Sequence, residues 1–127
     1  DWQEIDIYVA TAEAVYRYEA RDHLLRTVVA RDLRVLTGSQ DFVAQAPVNL
    51  VYVADLNRMR DASADQKDFY AAADAGFIAE NVYLFCASEG LATGVRASVD
   101  RPALSKALKL RDNQLIVFAQ SVGFPKK

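Results

Sequence analysis

The sequence predicts one domain in which strands pack with a long helix, and three observations predict it. Two β-rich runs lie close together, Ile5 to Val9 with strict alternation and Ala14 to Tyr18 after Thr11, Ala12 and Glu13, and together they read as a hairpin. The run Val48 to Ala54 (VNLVYVA) is β-branched and apolar between Pro47 and Asp55, the pattern of a central strand. From Ser63 or Asp65 to Glu89 the chain is rich in alanine, and apolar residues recur at three- and four-residue intervals, the pattern of a helix.

Composition agrees with a packed, soluble domain. With 127 residues, 52% hydrophobic and 25% charged, the chain can bury a sizeable core and keep a polar surface. A net charge of -2 with acids and bases interspersed gives no single-sign field for phosphate neutralisation, which argues against a nucleic-acid partner.

In chain order, the hairpin is followed from Arg21 to Leu36 by apolar residues cut up by charges, with no clear element, and Gly38 ends that stretch. Ser39 is placed to cap a short helix through Gln45, which Pro47 stops. In the long helix, Phe69, Ala72, Ala73, Gly76, Phe77, Glu80, Tyr83, Leu84 and Ala87 form the recurring set, and Gly90 supplies a left-handed stop. Its second half, Val82 to Ala87, is apolar nearly all round, which predicts cover both by the domain's own sheet and by a second body. A homodimer partner is the natural candidate. A short stretch then leads to Val99, Asp100 caps a helix that opens with Arg101 and Pro102, and Leu115 to Val122 reads as another buried strand.

No catalytic constellation stands out. His23 is the single histidine, which excludes a multi-histidine metal site, and Cys86 lies in an apolar stretch as a buried thiol would. One cysteine fits a reducing cytoplasm. The acid pairs Asp61 with Asp65 and Glu80 with Glu89 read as solvated faces, and neither GxGxxG nor GxxxxGK[ST] occurs. No uncharged run approaches the ~20 residues of a membrane span, and Asp1, Trp2, Gln3 and Glu4 do not resemble a secretion signal. Chemistry, if any, is expected from a bound cofactor. Two features bear on that: the backbone N–H groups near Ala97 to Asp100 could face a ligand or simply cap a helix, and Lys126 and Lys127 could meet a phosphate or trail in solvent. The polar connection from Asp55 to Lys67 is expected to border a site mouth.

The ordered set from Ala72 to Lys126 resembles the C-terminal half of the nitroreductase family. It comprises a long helix with Gly76 and Asn81, the Gly90-Leu91 stop, a short strand, a helix ending Leu108 to Leu110, and a last strand closing on Val122, Gly123, Phe124 and Pro125. Gln45, Ala46 and Pro47 also fit, and Gln3 to Ala10 resembles the strand after the family's Pro-Ser-x-x-Asn-x-Gln motif. The short form is similar to the subgroup that includes thiazole- and oxazole-forming dehydrogenases.

The resemblance implies an α+β fold, a mainly antiparallel sheet flanked by helices, in an intertwined homodimer joined through the helix 65–89 with FMN at the interface. It implies hydride transfer from NADH or NADPH through flavin N5 to a small-molecule acceptor such as a nitroaromatic or quinone; the alternative is a non-enzymatic dimerisation or ligand-binding remnant of the same fold. By position, Val95, Arg96, Ala97 and Ser98 match the segment lining the flavin ring, with the Ala97 and Ser98 amides towards O4 and N5, and Ala97 stands where relatives often have glutamate. Lys126, or else Lys127, matches a basic residue that reaches the FMN phosphate; Asp1 falls where the motif has asparagine, with Gln3 beyond it. Nothing matches the family's Arg-x-Ser-x-Arg-like opening cluster, so the resemblance implies a chain without the family's N-terminal helices. Such a chain is expected to hold FMN weakly unless a separate N-terminal fragment supplies that grip.

Overall fold

A computed structural model describes residues 2–126; Asp1 and Lys127 lie outside the described residues. Alternation and β-branching produce the strands β1 (Ile5–Ala10), β2 (Val15–Glu19), β3 (Leu24–Val29), β4 (Val48–Asp55), β5 (Ala92–Arg96) and β6 (Gln114–Gly123). They form one antiparallel sheet in the order β3-β2-β1-β4-β6-β5, so the VNLVYVA run is an inner strand. The mixed stretch after the hairpin resolves into β3 and a 3-10 turn at Arg34–Thr37. The sheet with its helices is the expected α+β architecture.

Helix α1 (Ala64–Glu89) starts at Ser63, whose hydroxyl accepts from Gln66 N while Gln66 reaches back to the Ser63 N–H; Gly90 ends it at φ 70°. Helix α2 (Arg101–Ala107) is capped by the Asp100 carboxylate, which accepts from Ala103 N. The short turn Asp41–Ala44 is 3-10, and its start takes no side-chain cap: the Ser39 hydroxyl meets Ser98 Oγ at 2.6 Å instead of capping a helix through Gln45.

The sheet has a helix on each face. Towards α2, Tyr8, Val51, Val53, Ile116 and Ala119 pack on Leu104 and Leu108. Towards α1, Tyr52 packs with Ala75 and Ala79, and Ala54 with Ala71 and Met59. The Tyr52 hydroxyl donates to Gln120 Oε1 at 2.5 Å, and Gln120 Nε2 donates to the Ala79 carbonyl at 3.3 Å, which ties the helix backbone to the sheet.

The stripe that meets the sheet is Ala71, Ala75, Ala79 and Cys86, not the recurring set read from the sequence. Phe69, Phe77, Leu84 and Phe85 of α1 are exposed, at 69, 71, 61 and 57%. The reason is closeness of approach: methyl side chains let the helix lie near Tyr52 and Phe118, whose edge-to-face rings already occupy the depth of that layer.

Two buried carboxylates, Asp55 and Glu4, lie close together, with Asp55 N donating to the Glu4 carbonyl at 2.8 Å. Asp55, at the end of β4, accepts from Asn113 Nδ2 at 2.7 Å and pairs with Arg111 at 3.1 Å and Arg58 at 3.4 Å, and with Met59 fully buried this anchors the start of the Asp55 to Lys67 connection. Glu4 is 1% exposed and its Oε2 has no partner among the described residues. Burial, then the nearby Asp74 carboxyl, pushes its carboxyl up to about 7.

Candidate functional site

Strand β5 is the outermost on its side of the sheet, and its backbone alternates between groups bonded to β6 and groups turned to the open edge. Val95 N–H is turned outwards, because it donates to the Tyr83 hydroxyl of α1 at 2.8 Å. Alternation turns the Ala97 N–H the same way, just beyond the last β5 residue. Neither Ala97 N nor Ser98 N has a protein acceptor among the described residues. Both can therefore donate to a ligand.

Helix α2 has seven residues, and its Ala103 amide is taken by Asp100. The amides left over belong to the loop before it. That loop is held on both sides: Ser98 Oγ by Ser39, and the Ala97 carbonyl by Val99 N at 3.0 Å and Arg101 Nη1 at 3.0 Å.

Arg96 does not line an open surface. It is 6% exposed, and its guanidinium donates through Nε to Ser121 Oγ at 3.0 Å, through Nη2 to Asn49 Oδ1 at 3.2 Å and through Nη1 to the Thr37 carbonyl. All three acceptors are neutral, no carboxylate among the described residues pairs with it, and burial pulls the guanidinium below its usual range. A Cβ at Gly38 would collide with Nη1, so glycine there is a condition of this arrangement. Arg96 is thus a fixed, buried positive charge and not a surface group.

At the far end of the strand pair, Ala92 is opposite Gly123, whereas Arg96 is opposite Ala119. Ala92 and Ala97 are thus roughly 16 Å apart at ~3.3 Å per residue. At the Ala92 end of the pair lies a groove of about 430 Å³, whose lining includes Phe42, Pro47, Thr93, Gly94, Gly123 and Phe124. Lys126 is exposed, two residues past Phe124. Ala97 and Lys126 so belong to opposite ends of one strand pair.

Gln3 is exposed and offers its backbone carbonyl to Arg58 Nη1 at 3.3 Å, on the far side of β4 from β5. Asp1 lies outside the described residues. His23, at φ 49° in the turn between β2 and β3, bonds the Tyr18 hydroxyl at 2.9 Å, and Cys86 is buried in α1. Among the described residues no cluster of three or more metal-ligating side chains exists, and no helix is long and apolar enough to cross a membrane.

Sequence reasoning missed Tyr83 as a cap on the strand edge and the Ser39–Ser98 contact, neither of which leaves a periodic trace. Arg101 did leave one. A cation in the first turn of a helix opposes the helix dipole, which is a sign that the side chain is used elsewhere.

The Nitroreductase family model matches residues 1–124. A candidate nitroreductase of Methanocaldococcus jannaschii is 31% identical over 114 residues, covering 86% of this chain and 57% of that protein. The crystal structure of a candidate nitroreductase from Ralstonia eutropha superposes with a TM-score of 0.91 at 39% identity, covering 98% of this chain and 60% of the other. The NADPH:FMN oxidoreductase of Vibrio harveyi, complexed with NAD+, shares the fold at a TM-score of 0.72 and 22% identity, over 98% of this chain and 52% of its own. The chain thus spans a little more than half the length of these relatives, and by the reach of the family model it belongs to the nitroreductase family.

Proposed function

We propose that this chain is the FMN-holding part of an NAD(P)H-dependent oxidoreductase of nitroreductase type. The observation that carries the reading is the pair of acceptor-less amides at Ala97 and Ser98 just past one end of the β5–β6 strand pair, with a groove at the other end, where the chain runs on from Gly123 to Lys126. FMN has the matching shape: a ring with hydrogen-bond acceptors on one edge and a phosphate at the end of a flexible tail. When bound, it would take two electrons from NADH or NADPH and pass them to a small acceptor such as a nitroaromatic or quinone.

The chain's own residues supply binding and electrostatics. The Ala97 and Ser98 N–H groups would donate to ring acceptors, and fixed dipoles of this kind stabilise negative charge gained on reduction without reorganising. Arg96, a buried cation with only neutral partners, adds a positive field behind that loop. Lys126 would meet the phosphate as a point charge, and Val95, 37% exposed, would lie against the ring. Gln3 and Asp1 are proposed to approach the cofactor of a second protomer rather than their own, because Gln3 lies away from β5.

The second protomer is proposed to dock on the outer face of α1, over residues 65–89. An exposed row of Phe69, Phe77, Leu84 and Phe85 is more apolar surface than a monomer ordinarily leaves in water.

Titrating the chain with FMN and following flavin fluorescence tests the reading. Saturable quenching is expected, weaker than micromolar because Lys126 would meet the phosphate only as a point charge, and tightened by a separately supplied N-terminal fragment. No saturable quenching up to millimolar FMN, with or without that fragment, would sink the flavin reading; colourless dimers would then favour a non-enzymatic dimerisation module.

A further inference from the structure

Arg101 opens α2, but its guanidinium turns away from the helix to three main-chain oxygens. Nε donates to the Ile116 carbonyl at 3.0 Å, Nη2 to the Val117 carbonyl at 2.6 Å and Nη1 to the Ala97 carbonyl at 3.0 Å. The first two lie where β6 carries an extra residue: Tyr52 of β4 pairs with Phe118 and Val53 with Ile116, leaving Val117 without a partner in the register. β5 ends opposite Ala119, so no strand reaches these carbonyls on that side. Arg101 fills the gap that the departing strand leaves.

The third oxygen links this gap to the candidate site. No cis peptide occurs, and in a trans peptide the C=O of one residue and the N–H of the next point in opposite directions. Fixing the Ala97 oxygen therefore fixes the direction of the Ser98 N–H. A cation bonded to that oxygen also polarises the peptide, which strengthens the N–H as a donor. Among the described residues no carboxylate pairs with Arg101, so its charge is not cancelled locally.

We infer that Arg101 is a positioning residue: by clamping the Ala97–Ser98 peptide to the β6 bulge it aims the Ser98 N–H at an acceptor atom of the ligand, an inference that rests on the flavin reading above. Arg101 itself does not touch the ligand. It acts through one peptide group.

Arg101→Gln and Arg101→Lys in the full 127-residue chain test this with two readouts. Amide hydrogen exchange without FMN reads the clamp: the Val99 N–H, which donates to the same Ala97 oxygen, is expected to exchange about tenfold faster in the Gln variant and less so in the Lys variant, with Val51 and Val53 of β4 unchanged. FMN titration reads the aim. The dissociation constant is expected to rise about tenfold for Gln, the loss of roughly one charge-assisted hydrogen bond, with partial recovery for Lys. The loss should be larger for reduced than for oxidised FMN, a difference that weakened folding alone does not produce. Unchanged Val99 exchange, or equal affinity of wild type and Gln variant for both forms of FMN, overturns the inference. Should the wild-type chain bind no FMN, the flavin reading fails separately and the exchange data alone decide the clamp. If the Gln variant does not fold, the Lys variant carries the same comparison.

Discussion

The two faces of the sheet are built on opposite plans. Towards α2, bulky side chains from sheet and helix interlock, and Leu104 is 1% exposed. Towards α1, the sheet supplies the bulk through Tyr52 and Phe118, and the helix answers with alanine. One face is closed by its own chain. The other keeps its large side chains outside, where they are free for a further contact. A helix's apolar bulk thus does not reveal which side meets its own sheet, because the tightest approach is made by the smallest residues.

The sharpest break of this contrast is Leu104→Ala. On the closed face it should remove about 4 kcal/mol of stability, the transfer term plus a cavity that rigid neighbours cannot fill, read by urea denaturation. A loss below about 1 kcal/mol would mean that the α2 face is not closed at all.

Next comes Glu4→Gln, beside α1. The folded-state carboxyl lies near 7 against an ordinary 4.5, so over that interval the folded chain holds a proton that the unfolded chain has released. Stability should therefore fall as pH rises from about 4.5 to about 7 and stay level above, by up to about 3 kcal/mol. The Gln variant should flatten the slope and be the more stable at pH 8. Identical slopes in thermal melts of the two proteins would show that Glu4 is not the source.

The smallest effect on the fold, and the most telling, is expected from Phe77→Lys. It points outwards at 71% exposure, so the unfolding free energy should change by less than about 0.5 kcal/mol. Sedimentation should nevertheless shift from dimer to monomer. A substitution that left the sedimentation coefficient unchanged would separate the exposed row from self-association.

The long helix, its stop and the inner strand were legible because each rests on local chemistry: alanine-rich three- and four-residue spacing, Gly90 at φ 70°, and an apolar β-branched run; the start, readable as Ser63 or Asp65, is settled by the Ser63–Gln66 capping pair. The inward stripe of α1 was not, since Ala71, Ala75 and Ala79 are inconspicuous beside the aromatics around them. At the candidate site, Ala97 and Ser98 could be picked out by position, and their free amides follow from how β5 ends. The fate of Arg96 was out of reach. Its partners Thr37, Asn49 and Ser121 come from three distant parts of the chain, and nothing in the local sequence says that they converge.

The contact between Tyr83 and Val95 has a consequence for how molecules of this protein behave in a crowded solution. A boundary strand offers a row of unused rungs to any extended peptide, and such rows are where chains zip together into fibres. Here a phenol from α1 already sits on the rung next to the end of β5. A foreign strand would meet an interrupted ladder, so the cleft can stay open to small molecules without inviting polymerisation.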